Sequence, residues 1–468
     1  MTFSLPKLLF IPLIGISTGF ILVFEPLLIA LLLFLCVSLF FFYHLINRPI
    51  IGVYMLVFFI PLQDYNFKLS FITLSVVNVL ILSLILTLVI RLLLGYKVIG
   101  KLKSLHPFCL VMIILFLFSQ GMSLLTAEDF SKTLRHIVTI IGGVSLFFLP
   151  ALIVQSLDEI KKIIFYISLS IVVVSTMTII SGFFPDLLPF DLGQARTKFA
   201  RPIGGFYLPF VRNTGLIKTQ GSYGIWVLMG LPIVLMSLYY SEIRRFIFRY
   251  KLLSVMASGI ILLGILISQS RNVWLGTMVC IYALLLYYFV TFSQTKSKVL
   301  ILCLNLVLLT ICFPVIYSIV EYYVSVSSEN VYSRLRQFDI AFDIFSKAPL
   351  FGIGKGAFES ASVHNLHNTY LFVLVTSGLF GFVPFVSLQL YSFKLLMMLV
   401  KREERKDLKL FAISMFASMV AMILQSMFFP GFSDKGMWVL LGFVNCLWAQ
   451  LYSDGKSNLK YISEKSGP

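Results

Sequence analysis

Apolar blocks of roughly 17 to 25 residues recur from near residue 7 to near residue 451, and a helix of that length crosses a bilayer core of about 30 Å. Stretches such as EPLLIALLLFLCVSLFFF have no polar face to offer water. The 468 residues are 59% hydrophobic and only 12% charged, about half the charge of an ordinary soluble domain. The chain reads as an all-α polytopic membrane protein. Fourteen candidate spans lie near 7–23, 26–43, 49–62, 69–94, 105–123, 134–154, 161–184, 221–240, 252–268, 271–291, 298–320, 369–397, 408–429 and 434–451. The third is short, and a re-entrant path there or in the first pair leaves twelve. No small-residue cleavage site follows the first apolar run, so an uncleaved first helix is expected.

The net charge of +17 would suggest nucleic acid in a soluble protein. Alternating the loops across a membrane explains it differently. Lys97, Lys101, Lys103, Lys161, Lys162, Arg244, Arg245, Arg249, Lys251, Lys296, Lys298, KREERK at 401–406 and the C-terminal tail all fall on one side, which holds nearly all the excess charge. Basic loops stay in the cytoplasm, so both termini are expected there, with membrane lipid and not nucleic acid as the partner. The six cysteines fall inside apolar blocks without metal-ligand spacing and read as small packed hydrophobes.

Two long loops, about 185–220 and 321–368, face the other side, and long loops in compact proteins are usually functional. The first carries Arg196, Lys198, Arg201, Arg212 and Lys218, which points to an anionic ligand. SQSRNVWLG at 268–276 joins two spans with almost no linker, placing Arg271 at membrane depth beside Ser268, Gln269, Ser270 and Asn272. An arginine there is expected to face a polar pocket. In the second loop, Leu335, Phe338, Phe342 and Phe345 recur at helical spacing from Val331 to Ser346, with Arg334, Arg336, Asp339 and Asp343 around them. That pattern is an amphipathic helix suited to a membrane surface. GIGKG at 352–356 follows no strand and lacks the lysine–hydroxyl ending of a phosphate loop, so a flexible turn is expected. Glu128 and Asp129 read as a solvated turn at a helix start, and no outward acid or histidine cluster suggests a metal site. A hydrolytic triad would need a serine, with Ser270 the candidate, and an acid converging on a histidine; it is the weaker reading.

Arg212 in RNTG, Arg271 in SQSR, and His364 and His367 in HNLHNTYL thus share the outward face. HNTYLFVLVTSG resembles the histidine–asparagine, leucine, glycine pattern of the O-antigen ligase and O-antigen polymerase family. RNTG, SQSRNVWLG and APLFGIGKGAF are similar to its other signatures, in the same order, over about 200–467. The resemblance implies a bacterial inner-membrane glycosyltransferase with a periplasmic active site, acting in lipopolysaccharide or surface polysaccharide biosynthesis. It would pass a glycan from undecaprenyl diphosphate to a sugar hydroxyl, on lipid A-core for a ligase or on another repeat unit for a polymerase. A polymerase would have a chain-length regulator as a further partner. From the apolar blocks and loop charges, the expected organisation is N-terminal transmembrane helices at 1–184, a basic periplasmic loop at 185–220, transmembrane helices with SQSR at 221–320, a large periplasmic loop at 321–368, and C-terminal helices with a cytoplasmic tail at 369–468.

The family's arginine roles map onto Arg212 and Arg271, and its essential histidine onto His367. Two guanidinium forks can hold a diphosphate bidentately without metal or other cofactor. An imidazole with a pKa near about 6.5 suits a general base for the acceptor hydroxyl. His364, Asn368, Arg334, Arg336 and Ser270 are candidates for acceptor contact or support. Two basic outward loops favour a polymerase slightly. The rivals are a protein O-oligosaccharyltransferase, with similar motifs, and a lipid-linked oligosaccharide flippase. Against the flippase, no inverted repeat or symmetric pair of broken helices is visible.

Overall fold

The computed structural model describes residues 40–69, 72–96, 105–184, 214–217, 219–292, 328–355, 366–429, 431 and 434–465. It is all-α apart from one small hairpin. A short helix, Phe40–Asn47, meets α1 (Pro49–Phe59) and its 3-10 extension Ile60–Leu62 at 112°. β1 (Asn66–Leu69) and β2 (Ile72–Ser75) pair antiparallel, Asn66 opposite Ser75. The helix expected over 69–94 therefore starts later, as α2 (Val76–Leu93), where the Ser75 hydroxyl accepts from the Asn78 amide at 3.1 Å and caps it. α3 (Pro107–Met122), α4 (Phe130–Ile153) and α5 (Leu157–Phe183) follow, then α6 (Gln220–Tyr239), α7 (Ser241–Ile247), α8 (Lys251–Ile267) and α9 (Arg271–Phe292). The last four are α10 (Ser328–Lys347), α11 (Thr369–Arg402), α12 (Lys406–Ser426) and α13 (Lys435–Lys465).

Among the described residues, six helices are long and apolar enough to cross a membrane, or eight if each bent pair is one span. The multi-pass class stands. The expected spans 7–23 and 298–320, and most of 26–43, lie outside the described residues. α3, at 16 residues, is shorter than a full crossing.

α6 is the central helix. Nearly all its side chains are buried, against α12, α9, α8 and α5. Trp226 within it donates to the Ser170 hydroxyl at 3.2 Å, and Ser170 donates to the Phe58 carbonyl at 2.8 Å, tying α6, α5 and α1 together. Such side-chain hydrogen bonds hold helices together where lipid offers no hydrophobic drive. Cys109, Cys280 and Cys446 are buried free thiols, as expected of small packed hydrophobes.

Short turns make α11, α12 and α13 successive antiparallel neighbours, so the bundle has two chemically distinct ends. One end gathers Lys161, Arg244, Lys401, Arg402 and Lys406, with Lys161 paired to Asp407 at 3.3 Å and Lys406 to Glu242 at 3.2 Å. The starts of α4, α6, α9, α11 and α13 lie at the other.

α11 is broken at Gly378, whose φ is +60°. A break at membrane depth exposes backbone groups that lipid cannot satisfy. The residues ahead of Lys355 fill it. The amides of Ile353 and Gly354 donate to the carbonyls of Val375 and Thr376 at 3.0 and 3.2 Å, while Leu379 and Phe380 donate to Pro349 and Leu350 at 2.9 and 3.1 Å. A Cβ on Gly378 would stand 2.3 Å from the Leu350 carbonyl carbon. The described part of GIGKG, expected to be a flexible turn, is thus a docked segment that completes α11.

Candidate active site

Asn368 starts α11. Its Oδ1 accepts from the Tyr370 and Leu371 amides at 2.9 and 3.0 Å, a full N-cap in extended backbone. The residue before it, His367, has an exposed side chain, while its amide donates to Gln337 Oε1 at 3.2 Å. Leu366 is buried among Ala341, Ile344, Ile353, Leu371 and Val375. A buried leucine, a capping asparagine and the bond from its own amide to the Gln337 side chain of α10 thus fix His367 at the helix lip.

α10 forms where the amphipathic helix was expected. Gln337, Ala341 and Ile344 are buried, whereas Phe338 and Phe342 are 41% and 54% exposed. The smaller side chains allow close approach to α11, and the phenylalanines are left outside. Arg336 is exposed beside Gln337, and Arg334 lies in the same helix.

Arg271 is the first residue of α9, exposed, after the tight turn of Ser268–Ser270. The turn is set by Gln269 at φ +46°, by Ser268 Oγ donating to the Ile265 carbonyl at 2.7 Å, and by the Trp274 indole donating to the same carbonyl at 2.8 Å. Ser270 is buried in it, 3% exposed. The near-absent linker read from SQSR is borne out.

The turn after α12 joins these two helix starts. The Asn272 amide donates to the Phe428 carbonyl at 3.3 Å. Thr369 Oγ1 donates to the next carbonyl, Phe429, at 2.5 Å, and accepts from the Gly431 amide at 2.7 Å. Arg271 and His367 therefore flank residues anchored to one short turn. Arg212 and His364 lie outside the described residues.

Sequence reading missed a buried polar cluster behind that turn. The Asp434 amide donates to the Gly431 carbonyl at 2.9 Å. Gln63 Nε2 donates to Asp434 Oδ2 at 3.0 Å, its Oε1 accepts from the Lys435 amide at 3.1 Å, and Asp434 Oδ1 accepts from the Gly436 amide at 2.8 Å. Burial pushes the Asp434 carboxyl, in the turn ahead of α13, up to about 6; the Ser222 hydroxyl partly offsets this and the charge of Asp64 adds to it. An adjacent acid and base at the head of an apolar block, SDKG, was the available signal. Asp129 caps α4 through the Lys132 amide at 2.9 Å, as expected of a helix start. Among the described residues, no three His, Cys, Asp or Glu side chains converge as a metal site would require.

Residues 256–386 match the family described as O-Antigen ligase. That segment contains the α9 start, the docked segment ahead of Lys355, and the α11 start. No curated protein matches the chain.

Proposed function

We propose, from the premise that residues 256–386 are a region of the O-antigen ligase family, that the protein is a membrane glycosyltransferase of surface polysaccharide assembly. It moves a glycan from undecaprenyl diphosphate to a sugar hydroxyl at the periplasmic face of the inner membrane. The observation that carries this reading is the shared anchoring of the α9 and α11 starts on the 428–431 turn, which fixes Arg271 and His367 at one end of the bundle.

In this reading His367 takes the proton of the acceptor hydroxyl. The acceptor oxygen forms a bond to the anomeric carbon as the bond from that carbon to the diphosphate oxygen breaks. The electron pair leaves with undecaprenyl diphosphate, whose growing negative charge Arg271 and Arg212 hold through bidentate hydrogen bonds. Asn368 positions His367 by capping α11, and Ser270 supports Arg271 by shaping its turn. Arg336, Arg334 and His364 are assigned to the acceptor side. The cationic end of the bundle faces the cytoplasm.

The acceptor is another repeat unit in a polymerase and lipid A-core in a ligase. Two basic outward loops favour the polymerase, since donor and acceptor carriers are both anionic. Purified protein, carrier-linked glycan and each acceptor in turn, with and without EDTA, test the proposal. Transfer to a glycan acceptor that survives EDTA is expected. Transfer only to a protein serine, or none to any acceptor, refutes it.

A further inference from the structure

We infer that Gln63, far from the site in sequence, is a positioning residue for His367, acting through Asp434, Gly431 and Thr369. This rests on the transferase reading above and adds to it a residue outside the matched segment 256–386. Gln63 closes the 3-10 turn Ile60–Leu62, its backbone amide donating to the Ile60 carbonyl at 2.9 Å, and buried Ile60 and Pro61 hold that turn in place. Its side chain then makes two opposite bonds. Nε2 donates to Asp434 Oδ2 at 3.0 Å, while Oε1 accepts from the Lys435 amide at 3.1 Å. At neutral pH only a carboxamide carries a donor and an acceptor on one carbon, so the residue type is matched to this pair of bonds.

From Asp434 the bonds run on toward the site. The Asp434 amide donates to the Gly431 carbonyl at 2.9 Å, and the Gly431 amide donates to Thr369 Oγ1 at 2.7 Å. Thr369 is the second residue after His367. The links have little slack. A Cβ on Gly431 would stand 2.7 Å from Ile225 Cδ1, and one on Gly436 3.0 Å from Ile225 Cγ2, so both sides of the Asp434 turn lie against one side chain of α6. Asp434 and Lys435 are each 6% exposed. Without Gln63, Asp434 Oδ2 and the Lys435 amide each lose a partner that water cannot readily replace, and the turn shifts to recover them. The shift reaches His367 before Arg271, because the relay ends on Thr369, whereas Asn272 is held by Phe428, further back along the turn. Misplacing a reacting group by about 1 Å costs up to about a hundredfold in rate.

Glycan transfer, carrier binding and hydrogen exchange, each measured on the full-length protein in detergent, test the inference. Gln63→Leu should lower turnover about ten- to a hundredfold while carrier binding changes by less than about twofold. Exchange in peptides covering residues 366–372 should be faster than in the unaltered protein. Gln63→Glu separates the hydrogen bond from the size of the side chain, and it decides the matter should Gln63→Leu fail to fold. Near about pH 6 one proton shared between the new carboxyl and Asp434 stands in for the amide N–H. Near about pH 8 both carboxyls ionise and repel, with Asp64 adding to the repulsion and Lys435 opposing it. Relative to the unaltered protein at the same pH, Gln63→Glu should therefore transfer almost normally at the lower value and lose turnover at the higher one. Unchanged turnover in Gln63→Leu, an equal loss of binding and turnover, or a ratio for Gln63→Glu that does not vary with pH would overturn the inference. No transfer by the unaltered protein would remove the transferase reading instead, and unchanged exchange at 366–372 would then remove the relay as well.

Discussion

Asn272 and Thr369 donate hydrogen bonds to consecutive carbonyls, those of Phe428 and Phe429. Each stands beside a residue assigned to chemistry: Arg271 precedes Asn272, and His367 lies two positions before Thr369. Helices distant in sequence are thus set against each other at their starts by one turn.

The clamp should be needed for activity and stability alike. Thr369 is fully buried, and Thr369→Val keeps its shape while removing both hydroxyl bonds, leaving the Gly431 amide and the Phe429 carbonyl only the 2.8 Å bond between them. Each lost bond costs roughly 1 kcal/mol. Thermal unfolding in detergent should show a clear loss, with a fall in transfer rate measured below the transition. An unchanged melting temperature would mean that the turn holds itself.

The break in α11 should depend on glycine. Gly378→Ala places a Cβ 2.3 Å from the Leu350 carbonyl carbon at a φ of +60°, where L-residues are strained. It should abolish stable expression. Gly259→Ala in α8, which meets nothing within 4 Å, should be neutral or stabilise by up to about 1 kcal/mol. Equal yields of the two variants would contradict the docked-segment architecture.

Asp434 should make stability depend on pH in a stated direction. Its folded carboxyl is raised from 3.8 to about 6, so the folded state binds the proton more tightly than the unfolded state. Stability from this group is therefore present at low pH and lost as pH rises through about 6. Between pH 7.5 and 5.5 the unaltered protein should gain stability relative to Asp434→Asn. A constant difference between the two melting curves would show that Asp434 does not carry the effect.

Much of this was legible in the sequence because it is local. Apolar length marked the spans, and the missing linker in SQSR put Arg271 at a helix start. The asparagine after His367 was read as part of a motif, and capping is what it does. What was not legible depends on distant partners. Nothing near Gly378 announces that the residues ahead of Lys355 complete its helix, because those bonds run between backbones and leave no trace in residue type. The face that α10 turns to α11 was not legible for a related reason. The stripe with Phe338 and Phe342 stands out by hydrophobicity and is left exposed, whereas close packing on α11 selects Ala341 and Ile344. The hairpin at 66–75 delayed α2 because its apolar residues also suit strands. The cluster around Asp434 is assembled from Gln63, Asp64 and Ser222, far away in sequence.

The division of labour between His367 and Arg271 is the central claim, and one paired measurement tests it most directly: carrier binding and glycan transfer, determined separately on His367→Ala and Arg271→Lys. His367→Ala should lower turnover by roughly 10²–10⁴, the range for a lost general base, with donor binding nearly unchanged. Arg271→Lys should weaken donor binding instead, because an ammonium keeps the charge but loses the bidentate fork. Transfer by His367→Ala at the normal rate would show that the histidine is structural and that the base lies elsewhere.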